Sequence, residues 1–488
     1  MIACSSGWRG QGVDVTILAS NLVAARSQMA FTLGFHILLV PLGVAFPAIT
    51  LIANWRGVRR RDDVALLLAR RWSKVMAVTF AVGAVTGTVL SFELGLLWPG
   101  LMGKFGSVFG LPFGLEVIAF FLEAILIAIY IYGWDRLSPR AHFWTGVPIP
   151  FVSILGAASI IAANSWLNTP QGFTLSSKGT PENVDVAKAI FTPAFPWEFT
   201  HFIIAAYLGA GFLVASVYAV GLLRGRNDRY HRLGFLIPFT VAAILAPVQL
   251  VVGDQITRMV IREQPVKFAA AEGVQQSGTH EPEALFGYLP GNGQDDNASI
   301  EYAIKIPNLA SFLTGGSADT EIKGLNTVKA DDRPPVNIVH LSFDVMVLIA
   351  GALALLALWF GFVWWRKRDV PKTRWFLRCA AVSGVAILVT IEAGWIVTEV
   401  GRQPWIVYNM LRTKDAVTDT GGIWLSFMLI VALYVLVAVA LIATLRAMAR
   451  RWRAQDELAD SDVPYGPRGP LRFGEEVPRP PAGEKVRA

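Results

Sequence analysis

Nine long, predominantly apolar stretches dominate the sequence, at residues 28–54, 75–97, 111–134, 145–166, 197–223, 234–253, 341–365, 379–399 and 423–446. A helix needs about 20 such residues to cross the hydrocarbon core of a bilayer. Lipid offers no partners for free backbone N–H and C=O groups, so such a chain folds as helices that satisfy their own backbones. Composition agrees. Of 488 residues, 54% are hydrophobic and only 16% charged, against about 25% charged in an ordinary soluble domain. The sequence reads as an all-α integral membrane protein with about nine transmembrane helices.

The charges give its orientation. One set of loops holds Arg56, Arg59, Arg60, Arg61, Arg70, Arg71 and Lys74, then Arg136 and Arg140. The same side continues with Arg224, Arg226, Arg229 and Arg232, and with Arg366, Lys367, Arg368, Lys372, Arg374 and Arg378. The alternate loops are poor in cations, with Lys104 alone in 98–110 and Lys178 and Lys188 in 167–196. Basic loops stay cytoplasmic, so the N-terminus is expected outside and the C-terminus inside. This topology also accounts for the net charge of +7, and no nucleic-acid partner is expected. The two cysteines, Cys4 and Cys379, are far apart and form no CxxC or CxxCH motif, which argues against iron–sulfur clusters, zinc fingers and covalently attached c-type haem. The first 20 residues lack a basic region followed by an apolar one, so no cleavable signal is expected.

Four segments follow. Residues 1–253 carry helices 1–6, 254–340 form a long outward loop, 341–446 carry helices 7–9, and 447–488 form a cytoplasmic tail. Loops as long as 254–340 are usually functional or disordered. The tail is charged and Pro-rich (Pro478, Pro480, Pro481), a composition expected to be disordered. No internal repeat is visible, so an inverted-repeat transporter has no support.

Ionisable groups inside spanning helices are costly and mark function by default. His36 and His201 lie in the first and fifth spans at similar depth in the outer half of the bilayer. Two histidines at matching depth with no metal cluster nearby point to axial haem ligation, against the plainer reading of interhelical hydrogen bonds. Met346, near the outer end of the seventh span, is either packing or the partner of a histidine in a six-coordinate haem. Glu116 and Glu123 are seven apart, so both project from one helix face, either as buried carboxylates paired to a neighbouring helix or as a proton relay. Glu392 and Glu399 flank the outer end of the eighth span, and Glu93 ends the second as an interfacial charge. His142, His231, His280 and His340 read as surface or interfacial residues.

The segment GWIVTEVGRQPW (Gly394 to Trp405), with GDQ…REQPVKFAAAE (Gly253 to Glu272), AFFLEA, YGWDR and ARSQMAFTLGFH, resembles subunit I of the cytochrome bd quinol oxidases. The likeness runs from about residue 25 to 446. It implies a catalytic subunit of a respiratory terminal oxidase in the bacterial inner or plasma membrane, passing electrons from quinol to O₂ to form water. It implies two haem b groups, one low-spin and one high-spin, and a haem d that some relatives replace with haem b.

By the same resemblance, His201 and Met346 ligate the low-spin haem. His36 and Glu399 take the axial positions of the other two, in either pairing. Trp395 lies between haems, and Arg402 with Arg26 steadies propionates. Lys267 and Glu272 match the quinol-binding positions, and Glu116 and Glu123 the carboxylates of a proton pathway from the cytoplasm, while quinol protons leave outside. Partners implied are subunit II, a small single-helix subunit, and menaquinol or ubiquinol. Two departures stand out: the position two before Met346, an arginine in some members, is Asp344, and the loop is the short form. Competing readings are a di-haem quinone-reactive cytochrome that does not reduce O₂ and a haem-free proton-coupled transporter.

Overall fold

The computed structural model describes residues 15–454, together with 457–458, 465 and 471–472. Among the described residues nine helices are long and apolar enough to cross a membrane. The first span is two helices, α1 (Val15–Ile37) and α2 (Val40–Arg60). Pro41 in the first turn of α2 has no N–H to continue the ladder, so the chain breaks at Leu38–Leu39, two residues after His36. Then come α3 (Asp63–Leu97), α4 (Pro99–Gly133), the short α5 (Pro139–Gly146) running into α6 (Pro148–Asn168), the short α7 (Val186–Ile190), α8 (Phe195–Leu223) and α9 (Arg229–Glu263). Short helices α10 (Pro265–Glu272) and α11 (Leu309–Gly315) precede α12 (Val336–Lys367), α13 (Arg374–Val400) and α14 (Ile423–Ala454).

The helix ends explain themselves locally. Asp62, Ser138, Asp228 and Thr373 each accept a backbone N–H three residues on, capping α3, α5, α9 and α13. All four caps fall in the Arg-rich turns, so one face of the molecule gathers them with the basic charge, while Asp185 caps the short α7 away from it. Asp62 binds them together: it also accepts from Arg56 at 3.1 Å and from Arg229 at 2.7 Å. The opposite face, here the loop face, carries the longer connections and three antiparallel hairpins: β1 (Thr174–Leu175) with β2 (Pro181–Glu182), β3 (Glu283–Leu285) with β4 (Ile304–Ile306), and β5 (Trp405–Val407) with β6 (Leu411–Arg412).

α8, α9, α12 and α13 pack as one four-helix group, filled by interlocked rings of Phe212, Phe235, Phe239, Phe360 and Phe376. A second core, with Phe46, Trp72, Tyr130 and Trp134, joins α2, α3 and α4 to α8. A third, around Phe105, Phe109 and Trp166, closes the loop-face ends of α4 and α6. α14 lies against α1 and α3 and is the least buried of the nine.

Helices extend beyond the apolar runs. α9 continues to Glu263 and α12 begins at Val336, so the non-helical outer segment is narrower than 254–340. α14 is helical through Ala454, correcting the expected start of a disordered tail at 447. Most of the remaining tail, Cys4 and most of the first 20 residues lie outside the described residues.

Candidate functional site

At the loop face the ends of α6, α8, α10 and α13 converge on a buried polar network whose hub is Asn168. Its Oδ1 accepts from Lys267 Nζ, Arg402 Nη1 and Gln264 Nε2, each at 3.2 Å. Its Nδ2 donates to Glu198 Oε1 at 2.9 Å, and Ser165 Oγ donates to the other Glu198 oxygen at 2.6 Å. Arg402 Nη2 meets Glu399 Oε2 at 2.6 Å, while Asn164 Nδ2 donates to Glu399 Oε1 at 2.6 Å. Two cations and two carboxylates thus share one site, Lys267 and Arg402 buried and Glu399 partly exposed, the arrangement in which buried charges are tolerated. Burial nevertheless pulls the Lys267 ammonium down to about 7, assisted by the neighbouring Arg402 charge and opposed by Glu198 and Glu399. Lys267 and Arg402 line a cavity of about 490 Å³ with Gln403, Trp405 and Tyr408, large enough for a small-molecule ring system.

The second cluster adjoins the first. Glu272 ends α10, buried, and its carboxyl is hydrogen-bonded to that of Glu283 on β3. His340 and Asp344, both buried on α12, face the pair. His340 Nδ1 lies 2.7 Å from the Ala271 carbonyl, its Nε2 is 3.6 Å from Asp344 Oδ2, and Asp344 accepts the Phe286 N–H at 2.6 Å. Burial and the like charge of Glu283 hold the Glu272 carboxyl well above the usual range, and burial raises Glu283 too.

The sequence expectation joins Lys267 and Glu272 in one site. On α10 they are five residues apart, about 140° around the axis, and they open onto these two adjoining clusters.

The remaining expected residues lie deeper. His36 Nδ1 sits 2.9 Å from Thr86 Oγ1 of α3, and a Cβ added at Gly87 would come within 3.1 Å of the imidazole. Close by, Glu93 is buried and accepts from Gln28 at 2.9 Å and from Thr32 at 2.5 Å, which corrects its reading as an interfacial charge. Gln249 of α9 reaches the His201 ring at 3.2 Å. Met346 Sδ lies where a Cβ at Gly394 would be 3.1 Å away, and Trp395, next in α13, packs edge-on to Phe202 with ring centroids 6.3 Å apart. Glu123 accepts from Ser153 of α6 at 2.6 Å, with Glu116 two turns away along α4. Arg26 donates to Gln403, at the rim of the Lys267 cavity.

Histidine, methionine and glutamate, each presented singly from a different helix beside a glycine or a polar side chain, suit a flat macrocycle with one or two protein axial ligands. Among the described residues no three His, Cys, Asp or Glu side chains gather as ligands for a bare ion. The Arg402 Nε is buried without a partner and is available to an anionic group such as a propionate. The residues present fit haem.

Two surface assignments are overturned: His142 and His340 are buried, at 0% and 1% exposure. His142 is enclosed by Tyr130, Trp134 and Asn54. The sequence reading missed Glu198, Asn168, Asn164 and Glu283. Glu198 carried a usable signal, standing one turn before His201 at the start of a span.

Comparison with known proteins places these observations. The family model described as cytochrome bd terminal oxidase subunit I matches residues 24–452. A Bacillus subtilis (strain 168) protein described provisionally as cytochrome bd menaquinol oxidase subunit I is 36% identical over 447 residues, covering 90% of this chain and 98% of the relative. The cytochrome bd ubiquinol oxidase subunit 1 of the same organism is 29% identical over 472 residues, covering 94% and 98%. The solved structure of bd oxidase from Geobacillus thermodenitrificans superposes with a TM-score of 0.80 at 35% identity, covering 88% of this chain and 98% of that one.

Proposed function

Since this chain belongs to the cytochrome bd terminal oxidase subunit I family, a family of membrane oxidoreductases that implies haem and quinol, we propose that it is the catalytic subunit oxidising quinol at α10 and reducing O₂ to water near His36 and Glu399. The observation that carries the proposal is the Asn168 hub. It places Lys267, the cation suited to a quinol oxygen, and Arg402, the partner of Glu399, on one oxygen atom at 3.2 Å each.

Haem, when bound, supplies one-electron transfer and oxygen activation. His201 and Met346 would hold the low-spin haem b. His36 and Glu399 would hold the high-spin haem b and haem d, in a pairing that chemistry alone leaves open. Around them the protein's own groups divide the work. Asn164 and Arg402 fix both oxygens of Glu399, so its orientation is set before any ligand arrives. Thr86 orients the His36 ring, and Gln249 the His201 ring. Trp395 shields the space between α8 and α13, and Arg402 with Arg26 offers charge for propionates.

Quinol oxidation releases two protons with its two electrons. Lys267 holds a quinol oxygen and favours its deprotonation, and Glu272 accepts the proton. We assign Glu116 and Glu123 to the path that carries protons from the basic, cytoplasmic face toward the oxygen site. Proton uptake on one side and release on the other would make the reaction electrogenic without a conformational pump. The second membrane subunit, and a small single-helix one, would complete the assembly.

The test is oxygen uptake by the purified complex with a short-chain quinol. Lys267→Met is expected to raise the quinol KM about tenfold with the haem spectrum unchanged. Wild-type kinetics in that variant would remove Lys267 from the quinol site.

A further inference from the structure

Quinol oxidation needs somewhere to discharge its protons, and Glu272 is enclosed. It is 8% exposed, and the groups facing it are Glu283 of β3 and Asp344 and His340 of α12. Among the described residues no lysine or arginine forms an ion pair with Glu272, Glu283 or Asp344. A carboxylate in such a place has one low-energy way to shed a proton, through a hydrogen-bonded neighbour nearer to water. Glu283 is that neighbour: it is half-buried on a two-stranded hairpin at the loop face, opposite the exposed Ile306. The two carboxyls share a hydrogen bond, so a proton on Glu272 has a direct path to Glu283.

We propose that Glu283 is the proton outlet of the quinol site, receiving each proton from Glu272 through their shared hydrogen bond and passing it to water at the loop face. The inference rests on the reading of Glu272 as the quinol-proton acceptor. The steps balance. The Glu272 O–H proton moves to Glu283, whose O–H then gives it to water. The emptied Glu272 carboxylate takes the next proton from a quinol hydroxyl. Two such cycles turn quinol into quinone, and its two electrons go to the oxidase and finally to O₂, the oxidant of the proposed reaction. His340 braces the path: its Nδ1 is fixed on the Ala271 carbonyl at 2.7 Å, one residue before Glu272, which aims α10's last carboxyl at β3.

Glu283→Gln in the purified complex is the direct test. The amide oxygen still accepts the Glu272 hydrogen bond but cannot carry a proton onward. The expected result is a kcat lowered about tenfold or more, with quinol KM within about twofold, an unchanged haem spectrum, and partial recovery of kcat in added acetate. An unchanged kcat overturns the outlet. So does a raised KM that acetate fails to restore, which would make Glu283 a brace of the loop. Glu272→Gln separates the two layers. If that variant also oxidises quinol normally, the reading of Glu272 falls; if it is slow while Glu283→Gln is not, the outlet alone falls.

Discussion

Lys267 keeps its charge against a desolvation cost, and that makes quinol binding pH-dependent. Burial and the nearby Arg402 bring its ammonium down to about 7, so it is mostly protonated at pH 6 and mostly neutral at pH 8. If the cation grips the quinol oxygen, quinol KM rises as pH climbs through about 7, approaching tenfold per unit above it. In Lys267→Arg, where the guanidinium stays charged, that rise should flatten. Initial-rate kinetics between pH 5.5 and 8.5 check both curves. His36, His201 and Glu399 stood out in the sequence because a titratable group in or beside an apolar run is conspicuous against its cost, whereas Lys267 and Glu272 were picked out only by the resemblance of the REQPVKFAAAE segment. Asn168 and Glu283 were not: a neutral amide closing a span and an acid in a charged loop are ordinary by composition. Asn168 matters through pairing with Lys267 and Arg402, which are remote in sequence, and Glu283 through a pairing with Glu272 that only the folded loop makes. Glu198 was passed over although it stands one turn before His201, because an acid in the first turn of a helix is readily put down to the dipole.

At the level of elements, glycine spacing matters as much as ligand identity. Gly394 of α13 lets Met346 of α12 approach so closely that an added Cβ would sit 3.1 Å from its sulfur. Gly394→Val, with two further methyls, is expected to abolish the low-spin haem b band while leaving the complex assembled; an optical spectrum with size-exclusion chromatography reads both. In α4, Glu123 is tied to Ser153 of α6. Glu123→Gln should slow oxygen uptake about tenfold or more with quinol KM unchanged, because the amide keeps the hydrogen bond and cannot relay a proton. Asp62 is the structural counterpart: it caps α3 and holds Arg56 and Arg229. Asp62→Ala should destabilise the bundle by about 2–4 kcal/mol, seen as a lower Tm without a spectral change. The number of spans was legible from hydropathy, whereas their ends were not. α9, α12 and α14 run past their apolar segments because helix geometry continues into the interface, where charged side chains such as Arg262 and Arg451 reach water. The break after His36 could be anticipated from Pro41, but its consequence, a histidine set in the last turn of a helix against Thr86, needed the fold.

Across the whole molecule, function is layered along the bundle axis. The basic turns and four of the helix caps occupy one face, the proposed proton-path carboxylates and the candidate ligands His36, His201 and Met346 lie deeper, and Glu399 joins the Asn168 hub and the Glu272–Glu283 pair at the loop face. This order suits a reaction that takes protons from one side and releases them on the other. Vesicles holding the complex with the loop face outward should acidify their medium during quinol oxidation, and a protonophore should abolish the gradient while oxygen uptake continues.

The central claim, that this chain holds haems at an oxygen-reducing site, meets its most direct test in a reduced-minus-oxidised optical spectrum of the purified complex with and without carbon monoxide. Low-spin and high-spin b bands with a chlorin-type d band, the last shifted by carbon monoxide, are the expected result; b bands alone that still respond to carbon monoxide would keep the oxidase and replace haem d. Low-spin haem b with no response to carbon monoxide would contradict the claim and leave an electron-transfer cytochrome.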